Sequence, residues 1–334
     1  MGFCVMIQSD NKITLIIQNW IRILNVRLGW IDDFDKLIVK FVAERFRLLE
    51  VLQGHTDYVT SVRFSADCCN ILSSSSDKTV RMWNAASGKQ IQIFHGHSNH
   101  VYCAEFSPDG NTVASCSRDC TIRLWNTKSG KEIKALKEHL GAVLCVSFSP
   151  DGARIVSCSS DRTIRVWNIS VGKEIQILKS YDCLKAVQFS HDGQKILSIN
   201  DKTISIWNAN TAIRLKALTG HSHHVQCAQF FDDSQFIISC SSDKTIRIWD
   251  VKSGKQLKIL EGHTDVVNDV KYFPDCQIIV SCSNDKTIRL WNVESGNEIQ
   301  RLDGHSYPIS CIDVSQEGKA IVSGSFDNTI RIWS

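Results

Sequence analysis

Seven tryptophans, Trp83, Trp125, Trp167, Trp207, Trp249, Trp291 and Trp333, recur at spacings of 42, 42, 40, 42, 42 and 42 residues and close near-identical segments such as SSDKTIRIW and SRDCTIRLW. The chain is therefore an array of one repeated unit. Helix-pair solenoid units run shorter and lack strand chemistry, whereas a period of roughly 40–45 residues ending in Trp is what a ring of four-stranded units produces.

Residues 261–302 show the unit. Gly262-His263 opens it, and Val267, Val270 and Tyr272-Phe273 make a short apolar strand. After a turn at Pro274-Asp275-Cys276, the β-branched run Ile278–Ser283 has the composition of a strand buried on both faces. Asn284-Asp285-Lys286 turns the chain again, and Thr287–Trp291 alternates polar and apolar residues as a half-exposed third strand does. Gly296 can take positive φ in the next hairpin, and Ile299–Leu302 is the fourth and outermost strand. Hairpin-length connections with no crossover helix exclude a parallel α/β fold. The expected fold is all-β: a seven-bladed β-propeller of four-stranded antiparallel blades.

With Gly-His, the Asp turn and the closing Trp in one register, the chain resembles the WD-repeat (WD40) family, with seven copies over about residues 46–334. Only Trp249-Asp250 is the literal pair; Asn follows Trp83, Trp125, Trp167, Trp207 and Trp291. The last copy ends at Trp333-Ser334 on its third strand, so its fourth must come from elsewhere. Residues 46–52, FRLLEVL, match the fourth-strand segments and are expected to complete blade 7, leaving no open sheet edge.

An Asp sits six residues before each Trp: Asp77, Asp119, Asp161, Asp201, Asp243, Asp285 and Asp327. In six blades a His and a Ser accompany it: His55 and Ser73, His97 and Ser115, His139 and Ser157, His221 and Ser239, His263 and Ser281, His305 and Ser323. One Ser-His-Asp set would suggest a hydrolase triad, but nothing distinguishes one of six copies as activated. The resemblance implies structural tetrads of Trp, Ser, His and Asp instead, and no catalytic residue is expected. Blade 4 departs from the pattern. Tyr181 replaces His, Leu197 or a slipped Ser198 stands for the Ser, two residues are missing, and Ser205 replaces the third-strand Arg of the other blades. It reads as a drifted blade or as a modified edge of a binding surface.

A net charge of +3 exerts little pull on nucleic acid, and no basic block supports one. The third-strand arginines should be spread around the ring. Most of the fourteen cysteines fall in repeat register, Cys116, Cys158, Cys240 and Cys282 on the second strand and Cys103, Cys145, Cys227 and Cys311 on the first. A whole blade should separate equivalent sites, so these read as small buried residues in a reducing compartment, cytoplasmic or nuclear. No C-x-x-C pair suggests zinc, no secretory leader is evident, and no apolar run is long enough to cross a membrane.

Residues 1–45 have a helical rhythm. Ile13, Ile16, Ile17, Trp20, Ile23, Leu24 and Leu28 share one face, Gly29 breaks the pattern, and Phe34, Leu37, Ile38, Phe41 and Val42 stripe a second helix. This N-terminal α-helical hairpin either docks on the ring or binds a partner.

The resemblance places function on surfaces: such rings hold peptides or partner domains on the wider top face, near the Asp turns and the first-strand entries. That maps to residues three and five after each His and the one before each Asp, including Cys183, Lys185 and Asn200 in blade 4. Tyr58, His100, Tyr102, Arg118 and Phe326 fall on adjacent blades seven, one and two and form the candidate partner-binding patch, because aromatic and Arg side chains are strong anchors. The expected function is a protein-protein interaction scaffold or adaptor within a multiprotein complex. The alternative is a substrate receptor or subunit of a larger assembly, in ubiquitin ligation, chromatin or G-protein-β-like signalling. No cofactor or metal is expected. A propeller enzyme would need an odd cluster of ionisable groups in the channel, where the blades read as neutral or small, and such a cluster outside the tetrads would reopen that class.

Overall fold

The computed structural model describes residues 46–334 apart from 181, 232 and 233. The helical hairpin expected over 1–45 and Tyr181 lie outside the described residues. Among the described residues twenty-eight strands form seven four-stranded antiparallel sheets. The all-β, seven-bladed propeller is the observed fold.

Six sheets follow chain order. In blade 1 the strands are Val59–Phe64, Asn70–Ser75, Val80–Asn84 and Gln90–Phe94. The seventh sheet runs Leu48–Leu52, Ile330–Trp333, Ile321–Ser325, Ile309–Val314. Leu48 lies opposite Trp333 and Leu52 opposite Ile330, and Arg47 and Ser334 exchange two backbone hydrogen bonds of 2.9 Å. The two ends of the ring are thus held in one sheet.

Burial explains the strand chemistry. All six residues of the second strand Ile278–Ser283 are buried, because sheets pack on both of its faces. Outer strands face solvent, and Ile91, Ile133 and Ile175 are about half exposed there. The core is divided among the seams between blades: Leu52, Ile330 and Ile332 of blade 7 pack against Val59, Val62, Ile71 and Trp83 of blade 1. Each such Trp removes about 200 Å² from water, worth about 5 kcal/mol on the transfer scale.

Two local features set the geometry. Lys78, Lys244 and Lys286, directly after the Asp of their blades, take left-handed φ of 70–71°, which gives a tight turn between second and third strands. Gly54, before His55, is required by closeness, since a Cβ there would lie 2.9 Å from both the Arg81 guanidinium and the Trp83 ring.

Candidate functional site

In blade 1 the Trp83 indole N–H donates to Ser73 Oγ at 2.8 Å, Ser73 Oγ meets His55 Nε2 at 2.8 Å, and His55 Nδ1 meets Asp77 Oδ2 at 2.7 Å. Asp77 also accepts the Thr79 hydroxyl at 2.6 Å and the Thr79 backbone N–H at 2.9 Å. The Asp therefore closes the turn and anchors the His, while Ser and Trp tie both to the third strand.

Blades 2, 3, 5, 6 and 7 repeat this chain of contacts, with His to Ser at 2.8–2.9 Å and Trp to Ser at 2.8–2.9 Å. His to Asp is 2.8–2.9 Å in these five blades. Burial lowers the basicity of His55, His139, His221 and His305, against the pull of their aspartates, so the rings favour the neutral form. Burial alone would raise the carboxyls of Asp161 and Asp243. The hydrogen bonds from Thr163 and His139, and from Thr245 and His221, outweigh it and hold both at about 2. Every Ser hydroxyl is engaged by its own Trp and His, and no copy departs from the others.

Blade 4 uses a different network. The Trp207 N–H donates to Ser198 Oγ at 2.9 Å, Ser198 donates to Asn200 Oδ1 at 2.9 Å, and Asn200 Nδ2 donates to Ser180 Oγ at 2.6 Å. Ser198, not Leu197, takes the Ser position. Asn200, expected on the top face, is instead 7% exposed because its amide replaces the missing His. Asp201 sits at φ 53° with its Oδ1 against Nδ1 of His224 in blade 5, so its carboxylate serves the boundary between blades. Beside it Arg162, Asp182, Lys185, His224 and Gln226 line a cavity of about 560 Å³.

The top face is built by backbone pairing. The N–H of the residue before the Asp donates to the carbonyl of the residue three after the His: Ser76 to Tyr58 and Arg118 to His100 at 2.9 Å, Phe326 to Pro308 at 3.0 Å. The Tyr58 and Phe326 rings meet across the blade 7–blade 1 boundary with centroids 4.7 Å apart, and Tyr58 is 49% exposed. Arg118 is exposed and His100 half-buried beside it. Tyr102 packs into the apolar seam of blades 2 and 3, and among the described residues no ring contact joins it to Tyr58 or Phe326. Its register position works as a seam: Thr60 Oγ1 donates to the Val101 carbonyl at 2.7 Å and Ser310 Oγ to the Val59 carbonyl at 2.6 Å. Two exposed residues escaped the position rule. Tyr307, 59% exposed under Lys286, and Leu140, 88% exposed, lie two and one residues after their His, where sequence alone marks only a loop.

Two expectations about the channel fail. The residue before the last of each first strand points to the axis, and there the blades carry Arg63, Glu105, Ser147, Gln188, Gln229, Lys271 and Asp313, with Asp269 two residues before Lys271. The lining is polar and charged rather than neutral or small, because strand alternation turns this position away from the apolar seams. One pair of first-strand cysteines is also close. Cys103 and Cys145 Sγ lie 3.9 and 4.0 Å from the same Val146 carbonyl oxygen, since blades converge toward the axis. All thirteen described cysteines are free, and among the described residues no group of three or more His, Cys, Asp or Glu could hold a metal ion.

Seven segments, 46–84, 88–126, 130–168, 172–208, 213–250, 254–292 and 296–334, match the family model described as WD domain, G-beta repeat. No curated protein matches the chain.

Proposed function

The chain belongs to the WD40 family of G-beta repeats, and from that premise we propose that it is an interaction scaffold that grips a protein or peptide partner on its top face at the blade 7–blade 1 boundary. WD40 propellers are in general protein-interaction scaffolds. The observation that carries the finer reading is the Tyr58–Phe326 contact at the blade 7–blade 1 boundary, where Tyr58 is 49% exposed and packs on the half-buried Phe326 ring. Aromatic side chains of this kind supply large contact area at low entropic cost. Tyr307 extends the apolar sector on blade 7, and Arg118 and His100 supply polar groups on blade 2. Tyr102 is no longer part of it.

The test is affinity purification from the native cell with the wild-type chain and the pair Tyr58→Ala with Phe326→Ala. Loss of one or more partners by tenfold or more, with an unchanged melting temperature, is the expected result. Full retention of every partner by the folded variant would remove this sector from the binding surface.

A further inference from the structure

Repetition within the chain acts as an internal control on what each position does. At the third position of the first strand the blades carry Ser61, Cys103, Cys145, Ala186, Cys227, Asp269 and Cys311 in turn. Side chains at this level reach the blade that follows. Ser61 Oγ accepts the Ala104 N–H at 3.1 Å, and Asp269 Oδ2 accepts the Ile312 N–H at 3.2 Å. Cys103 Sγ lies 3.9 Å from the Val146 carbonyl oxygen and Cys145 Sγ 3.5 Å from that of Val187. Consecutive blades therefore place these residues side by side, and at one boundary of the seven both are cysteine.

That boundary joins blades 2 and 3. Cys145 Sγ is also 4.0 Å from the Val146 oxygen, so the two thiols share one acceptor, and each is a hydrogen-bonding neighbour of the other. Sulfurs that touch one oxygen need little more than side-chain rotation to meet. Elsewhere on this level Cys227 stands between Ala186 and Asp269, and Cys311 between Asp269 and Ser61, so neither has a thiol at its side.

The channel gives access to the pair. Cys103 and Cys145 stand two residues before Glu105 and Ser147, on the same face of their strands, and those two line a cavity of about 450 Å³ at one mouth of the channel. Cys145 is half-buried and Cys103 is 8% exposed. Cys116 and Cys158, directly opposite them on the second strands, have no exposure. The surroundings separate the two sulfurs in reactivity. The Cys145 hydrogen bond and the Arg63 and Lys271 charges pull the Cys103 thiol below its ordinary range, against burial and with the Glu105 carboxyl beside it, while Cys145 is pushed up.

We propose that Cys103 and Cys145 are a peroxide-sensitive dithiol that closes reversibly into a disulfide between blades 2 and 3 and so stabilises the ring. The Cys103 thiolate attacks one oxygen of hydrogen peroxide. The O–O bond breaks, hydroxide leaves and takes the thiol proton as water, and Cys103 becomes a sulfenic acid. The Cys145 sulfur then attacks the Cys103 sulfur. An S–S bond forms as the S–O bond breaks, and the departing hydroxide takes the Cys145 proton as a second water. Two thiols are thus oxidised and one peroxide is reduced; a thiol reductant reverses the change. The bond ties two sheets that share no strand pairing and closes the chain between residues 103 and 145 into a loop. The pair is independent of the top-face surface.

The test is peptide mapping of the reduced, folded full chain after hydrogen peroxide, with the remaining thiols blocked by N-ethylmaleimide in urea. Digestion with trypsin and chymotrypsin cuts after Phe106 and so separates Cys103 from Cys116. The expected result is a peptide pair linked through Cys103 and Cys145 and released by dithiothreitol, with Cys116, Cys158, Cys227 and Cys311 recovered as maleimide adducts. Peroxide should also raise the urea midpoint of the wild-type chain, and dithiothreitol should reverse the rise. Cys145→Ala should abolish it and leave Cys103 as a sulfenic acid that dimedone traps; Cys145→Ser gives the same reading if the first variant does not fold. Maleimide on both Cys103 and Cys145 after peroxide, a bridge from Cys103 to Cys116 instead, a bridge that forms only when peroxide is added in urea, or an unchanged midpoint in the bridged chain overturns the proposal.

Discussion

Ser115 Oγ holds two partners at 2.8 Å, the Trp125 indole and the His97 ring, in a site with no solvent exposure. Ser115→Ala should therefore cost about 1–3 kcal/mol by stranding both, read as a lower urea midpoint with an unchanged slope. The same groups set the response to acid. Asp161 and Asp243 titrate near 2 when folded and at 3.8 ordinarily, so their contribution is present above pH 3.8 and lost as pH falls toward 2. His139 and His221 are held below 6.5, so the unfolded chain takes up their protons first as pH falls. Both effects have one sign. Glu105, whose carboxyl burial pushes up to about 8 from 4.5, acts with the opposite sign to the histidines between those values, so the expectation is a steep drop of the urea midpoint below pH 4. A midpoint unchanged between pH 4 and 2 would mean that Asp161 and Asp243 are not held by their Thr and His partners. At this scale the spacing of His, Ser, Asp and Trp was legible because six copies repeat it. Asn200 was not, since a substitute network has no second copy with which to align.

Blade 4 is the weak element. It lacks a charged acceptor in its network, and Ser205, where the other blades carry Arg, is fully buried with its hydroxyl unpartnered. Arg81, Arg123, Arg165, Arg247 and Arg289 bind the outer strand of their own blade, as Arg81 does Gln90 at 2.8 Å and Arg289 does Glu298 at 2.5 Å. The amides of Thr203–Asn208 should thus exchange with deuterium faster than those of the matching strand Thr287–Asn292 in blade 6. Equal protection would show that the Asn200 network holds as well as a tetrad. The departure of this blade was legible from two missing residues, but its consequence, a cavity beside Asp201 and His224, depends on how the neighbouring blade fills the space.

The whole ring depends on closure. Leu52 of the closing strand is 2% exposed and packs in the blade 7–blade 1 seam. Leu52→Ala should cost about 2–4 kcal/mol in thermal or urea unfolding. A chain starting after residue 52 would expose the edge of Ile330–Trp333, and edge-paired dimers or aggregates in size-exclusion chromatography are the expected outcome. A stable monomer would mean that three strands suffice for blade 7.

The period of the tryptophans determined the strand count, the blade count and the seams, because a short strand can bury its apolar face in only one register and the repeat states that register seven times. Local spacing could not say what meets across the axis. Arg63, Glu105, Gln229, Lys271 and Asp313 are far apart in the chain and look unremarkable singly, and only ring closure brings them round one mouth of the channel. The same holds for Tyr58 and Phe326, whose rings touch although 268 positions separate them. Within a blade the chain itself sets distance; between blades, curvature does, and curvature emerges only when all seven sheets pack together.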